Sequence, residues 1–96
     1  GVPFNIASYS LLLLIMAKVT NLKPKEVVIA LSDCHLYVNH LDQAKLQLAR
    51  EPRKLPRVLL PDIKDLSLET VNGLEPEHFT LVGYDPHPLI KAEVAI

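Results

Sequence analysis

The sequence has one cysteine, Cys34, which therefore has no partner for an internal disulfide. That fits a reducing compartment and a cytoplasmic location. It also has no charge excess. Ten basic residues stand against eleven acidic ones, so no single-sign field exists to draw the chain to nucleic acid or an anionic membrane. It has no full-length membrane span either. The apolar run from Ile6 to Val19 is broken by Ser8, Tyr9 and Ser10 and falls short of the roughly 20 residues a crossing helix needs. "GVPFN" supplies no positive charge before that run, which argues against a signal peptide. There is no CxxC pair and no HExxH motif, so zinc-type spacing is missing. No internal repeat or low-complexity tract appears.

What the chain does have is apolar material. Hydrophobic residues make up 49% of only 96 residues. A chain this short buries only about two-thirds of its unfolded surface, so part of that apolar supply is expected to meet a subunit partner or a further segment. The initial glycine points to processing or to a fragment. Residues 1–96 are read as one α+β unit.

Along the chain, "PFNIASYSLLLLIMAKVTN" reads as a helix apolar on most of its circumference, hence buried. It enters after Pro3 and leaves through Asn21 and the Lys23-Pro24 stop signal. Residues 26–39 are β-branched at their start and alternate later, which predicts a long strand, bulged near Ser32. Leu41, Ala44 and Leu48 lie at helical spacing, predicting an amphipathic helix with Asn39 as N-cap and Pro52 as terminator. A short strand is expected over Val58–Leu60, between Pro56 and Pro61. A brief helix or turn around residues 65–71, a break at Gly73 and a last strand over His78–Tyr84 follow. The tail "HPLIKAEVAI" is too apolar for a solvated end and should dock on something. The sheet is expected to be mostly antiparallel or mixed.

"LSDCHLYVNH" places an acid, a thiol, an imidazole and a phenol within five positions. In the predicted strand Asp33, His35 and Tyr37 share one face, while Cys34, Leu36 and Val38 share the other. The thiol and the imidazole are thereby separated, so Cys34 reads as a small core residue and not as a nucleophile with a base. Asp33 and His35 are too few ligands for a metal. The Asp-x-His-x-Tyr stripe then has two readings. It is either a half-buried strand with satisfied hydrogen bonds or a hydroxyl-binding surface, since imidazole and phenol can both bond a sugar hydroxyl. Lys45, Arg50, Arg53, Lys54 and Arg57 have no aromatic neighbours for base stacking and read as a solvated face. One of the arginines in "REPRKLPR" has the fork to grip a phosphate.

Three motifs in this order resemble a known family. "GVPFNIASYSLLLLIMA" resembles the GLPFNIASYALL segment of thymidylate synthases. "SDCHLYVNHLDQAKLQLAREPRKLP" is similar to their GD-x-H-x-Y-x-NH…Q-x-x-REP stretch. "GYDPHPLIKAEVAI" resembles their C-terminal end. The resemblance runs from Gly1 to Ile96, with residues 59–75 its least distinctive part. It implies the C-terminal portion of an α+β thymidylate-synthase-type fold, and an activity that reductively methylates dUMP to dTMP with 5,10-methylenetetrahydrofolate as carbon donor and reductant.

By position, the resemblance makes Asn5 the reader of the uracil amide edge, where a relative acting on dCMP carries aspartate. It makes His35 and Tyr37 the holders of the deoxyribose 3′-hydroxyl. Gly1 and Phe4 become folate-facing, and Val94, Ala95 and Ile96 become the segment that closes over the folate. The family's catalytic cysteine sits in a Pro-Cys-His segment upstream of these motifs, so no catalytic nucleophile is expected in this chain. Turnover is expected to need a complementing N-terminal chain or segment, within a homodimer. Ser32 and Lys25 stand where the family has glycines. Two other readings accompany this one: a non-catalytic remnant that dimerises through its apolar surface, and a hydroxymethylase relative acting on dUMP without hydride transfer.

Overall fold

A computed structural model describes residues 1–63, 65 and 67–94. The chain divides into two compact units, each built from separated stretches. The first comprises Gly1–Ala30 with Val58–Leu81, and the second Leu31–Arg57 with Val82–Ile96.

In the first unit, α1 runs over Val2–Val19, with Gly1 as N-cap and a proline in its first turn. Proline suits that position because its missing N–H would have no intrahelical partner there anyway. The helix ends as the Asn21 signal predicts. Asn21 adopts a left-handed φ of 54°; its N–H donates to the Lys18 carbonyl at 3.3 Å and that of Leu22 to the Ala17 carbonyl at 2.8 Å. This paired closure is the Schellman arrangement, with asparagine in the position glycine usually fills.

β1 covers Arg57–Leu59 and β2 covers Thr80–Val82, and they form a two-stranded antiparallel sheet. Pro56 and Pro61 bracket β1 and limit its ladder, since proline offers no N–H. α3 spans Leu68–Asn72 and is capped by Ser67, whose Oγ accepts from the Thr70 N–H at 3.1 Å. Gly73 closes α3. The last strand is shorter than expected because Pro76–His78 forms a single 3-10 turn in its place.

The second unit contains a 3-10 turn at Val38–His40 that runs into α2, Leu41–Leu48. Gly83, at φ 70°, lets the chain leave β2 for the tail in a conformation that other residues rarely adopt.

Two expectations are corrected. The long strand over residues 26–39 does not form: residues 23–31 carry no regular structure, and the chain turns helical at Val38. β-branched residues favour an extended path, but a strand also needs a neighbour for its N–H and C=O groups. Among the described residues the only sheet is the β1–β2 pair. The N-cap of α2 is His40, because Asn39 lies inside the 3-10 turn, and no side chain caps that end.

The accessible surface is the chain's most informative property. It amounts to 8761 Å², whereas a folded monomer of 10.7 kDa exposes about 5,500 Å². Among the described residues only Ala17 and Ile63 are buried. α1, expected to be a core helix, has Leu11, Leu13, Leu14 and Ile15 half-buried, while Phe4, Tyr9, Leu12 and Met16 are exposed. Its 18 residues have a mean hydropathy of 1.6, long and apolar enough for a membrane crossing by length and composition alone. A core helix passes the same test.

Candidate functional site

The first turn and a half of α1 carries three of the candidate residues. Gly1 and Asn5 are four apart and Gly1 and Phe4 three apart, so they share a helix face. All three are exposed, Phe4 by 81%. A Cβ added at Gly1 would meet nothing within 4 Å. The space around Gly1 is thus left open by the chain's own atoms.

The polar stripe lies in the second unit. Asp33 and His35 meet at 3.2 Å between Oδ1 and Nδ1. With Nδ1–H donating to the carboxylate, a neutral His35 keeps Nε2 as an acceptor, free to take a hydroxyl proton. The rings of His35 and Tyr37 meet edge to face, 5.3 Å between centroids and 76° between planes. Tyr37 meets His40 in the same way, at 5.6 Å and 86°. Acid, imidazole and phenol are therefore brought together as alternation predicts, although no sheet holds them. Tyr37 itself keeps an extended backbone, φ −63° and ψ 141°.

Cys34 corrects an expectation, for it is exposed and not a core residue. With no strand paired alongside, both faces of residues 31–37 stay open.

The basic residues serve a purpose that the sequence did not disclose. Arg50 donates to the Pro88 carbonyl at 2.6 Å. Arg53 bridges the Asp85 carboxylate at 2.8 Å and donates to the Asp85 and Pro86 carbonyls at 3.2 Å. These two guanidinium groups both bond to the tail. Gln43 donates to the Lys91 carbonyl at 3.4 Å, and His40 Nε2 to the Glu93 carbonyl at 2.6 Å. From the other side, His87 Nε2 donates to the Glu51 carbonyl at 2.9 Å. The tail docks on α2, as its apolar content suggests, but through polar hooks. The half-buried residues of this helix region are His40, Gln43, Ala44 and Arg50, while Leu41 and Leu48 remain exposed. The amphipathic helix thus turns its polar side to the tail and leaves its leucines uncovered. Val94 is exposed, and Ala95 and Ile96 lie outside the described residues.

Among the described residues, the titrating group with a perturbed pKa lies elsewhere, beside α3: hydrogen bonds from Ser67 and Thr70 hold the Asp65 carboxyl below its ordinary range. Thr70 Oγ1 donates to Asp65 Oδ1 at 2.8 Å while accepting from Ser67 Oγ at 2.8 Å. It is a helix-start network. Among the described residues no group of three or more His, Cys, Asp or Glu converges as a metal site.

The described residues thus form an α+β chain with an Asp33, His35 and Tyr37 stripe, an exposed amide and aromatic ring at the start of α1, and a tail held by hydrogen bonds. The thymidylate synthase family model matches residues 1–96, the whole of the sequence. The chain belongs to the thymidylate synthase family, whose members use a folate cosubstrate.

Proposed function

We propose that residues 1–96 are the C-terminal part of a thymidylate synthase domain and supply uracil, deoxyribose and folate contacts for the reductive methylation of dUMP to dTMP with 5,10-methylenetetrahydrofolate. The observation that carries this reading is the ordered stripe of Asp33, His35 and Tyr37 in a chain that matches the family along its whole length.

Each residue has a chemical task. The Asn5 amide oxygen accepts from the uracil N3–H while its N–H donates to the O4 carbonyl, a pattern that cytosine cannot satisfy. As C6 takes a thiolate, negative charge grows on O4, and the Asn5 donor stabilises it. C5 is then nucleophilic toward the one-carbon unit of the folate, and a hydride from the reduced folate completes the methyl group. His35 Nε2 accepts from the 3′-hydroxyl, and the Tyr37 hydroxyl donates to it. Gly1 leaves room for the folate and Phe4 gives it an apolar ring, while Val94, Ala95 and Ile96 cover it and exclude water.

The thiolate comes from a segment outside these residues, and the same polypeptide environment covers the apolar surface. The area exposed beyond that of an ordinary folded monomer is about 3,200 Å², the scale of a large obligate interface. That supports both a complementing N-terminal portion and a homodimer.

The test is turnover of dUMP and methylenetetrahydrofolate by the protein carrying this chain, with product analysis. Formation of dTMP with oxidised folate is expected. Hydroxymethyl-dUMP without folate oxidation would identify the hydroxymethylase reaction instead, and no product at all would identify a non-catalytic remnant.

A further inference from the structure

His40 was not singled out by its sequence as a functional residue, yet it touches both parts of the second unit that bear on the proposed site. Its ring stands edge to face with Tyr37 at 5.6 Å, and its Nε2 donates to the Glu93 carbonyl at 2.6 Å. It is half-buried. Its side chain makes no capping bond to α2, so helix-start chemistry does not account for it.

The other hooks on the tail are made by Gln43, Arg50, Arg53 and His87. An open hollow of about 730 Å³ lies between α2 and the tail, lined by Asn39, Gln43, Leu89, Ile90 and Lys91. Packing therefore does not seal the tail to the helix, and the hooks hold it. Among the described residues, His40 is the hook nearest the C-terminus and the only one whose donor ring also touches the polar stripe.

We propose that His40 is a positioning residue that couples the deoxyribose stripe to the C-terminal tail, fixing the Tyr37 ring through the edge-to-face contact of the two rings and the main chain at Glu93 with its Nε2–H. This deepens the thymidylate synthase reading and rests on it for the identity of the two ligands. The coupling is not a pH switch, because neutral and protonated imidazole can both donate from Nε2. Nor does it depend on tail side chains, since the acceptor is a backbone carbonyl.

Two variants separate the two contacts. His40→Phe keeps an aromatic ring beside Tyr37 and loses the donor; His40→Gln keeps a donor and loses the ring. Trypsin cleavage after Lys91 reports release of the tail, because cleavage tracks the population of the open form when opening is fast. Loss of one ordinary hydrogen bond gives about a fivefold rise. That rise is expected in His40→Phe and not in His40→Gln, with cleavage after Lys45, inside α2, unchanged in both. In the active protein, His40→Phe is expected to raise the KM for folate and spare that for dUMP, and His40→Gln to do the reverse. Unchanged Lys91 cleavage in His40→Phe, or an equal rise at Lys45, overturns the proposal. The expected cleavage pattern with no split between the two Michaelis constants refutes the positioning role, and the stripe and tail are then not the dUMP and folate contacts proposed above.

Discussion

Isolating the 96-residue chain leaves its apolar surface with nothing but water or another copy to meet. An extended chain of 10.7 kDa exposes about 15,500 Å², and folding to 8761 Å² removes only about two-thirds of the area that an ordinary monomer of this mass removes. Heat capacity of unfolding follows that area. A self-sufficient domain of this length has a ΔCp of about 1.2–1.4 kcal/mol/K, so the isolated chain is expected near 0.8–0.9 kcal/mol/K, with a broad transition. The uncovered residues include Leu12 and Met16 on α1, Val28 at 85% exposure and Leu48 at 86%, far more apolar surface than a solvated monomer normally displays. Association at micromolar concentration is therefore expected. Sedimentation velocity and scanning calorimetry on the isolated polypeptide test both statements. A monomer with a sharp two-state transition and a ΔCp near 1.3 kcal/mol/K would refute the reasoning, since it would mean that the chain closes a core of its own.

Four further outcomes are expected. Asn5→Asp replaces the donor facing uracil O4 with a second acceptor and should lower kcat/KM for dUMP about a hundredfold, measured by steady-state kinetics against dUMP and dCMP. Tyr37→Phe keeps the ring contacts and removes the hydroxyl, so the KM for dUMP should rise about five- to tenfold. Asn21→Gly should be tolerated, whereas Asn21→Val forces a branched side chain into a left-handed conformation at a cost of about 1–2 kcal/mol, visible as a lower Tm. For Asp65 the folded pKa is lowered. Its contribution is therefore complete above the unfolded value of about 3.9 and is lost as pH falls through the folded value. The Ser67 and Thr70 amide resonances of α3 should accordingly titrate with a midpoint below that of an ordinary aspartate.

What the sequence discloses and what it withholds divide along a physical line. α1 was legible because its start and stop are local: a proline in the first turn, then an asparagine at the left-handed closing position. The placement of Asp33, His35 and Tyr37 was read from a strand that does not form, and their side-chain contacts keep them neighbours without it. The strand over residues 26–39 failed because strand formation is a property of two segments, and β-branched residues cannot announce whether the second is at hand. The tail hooks escaped notice for a related reason. Apart from the Asp85 carboxylate, their acceptors are backbone carbonyls, which every residue has, and their donors lie 32 to 53 positions from those carbonyls. Spacing alone assigned Leu41, Ala44 and Leu48 to the inward face of α2, yet the described contacts of that region are made by His40, Gln43 and Arg50. Both faces are real if the helix has two neighbours, the tail on its polar side and covering polypeptide on its leucines. The apolar periodicity of α2 then records a neighbour in the assembled protein, and its polar periodicity the tail contacts already in place.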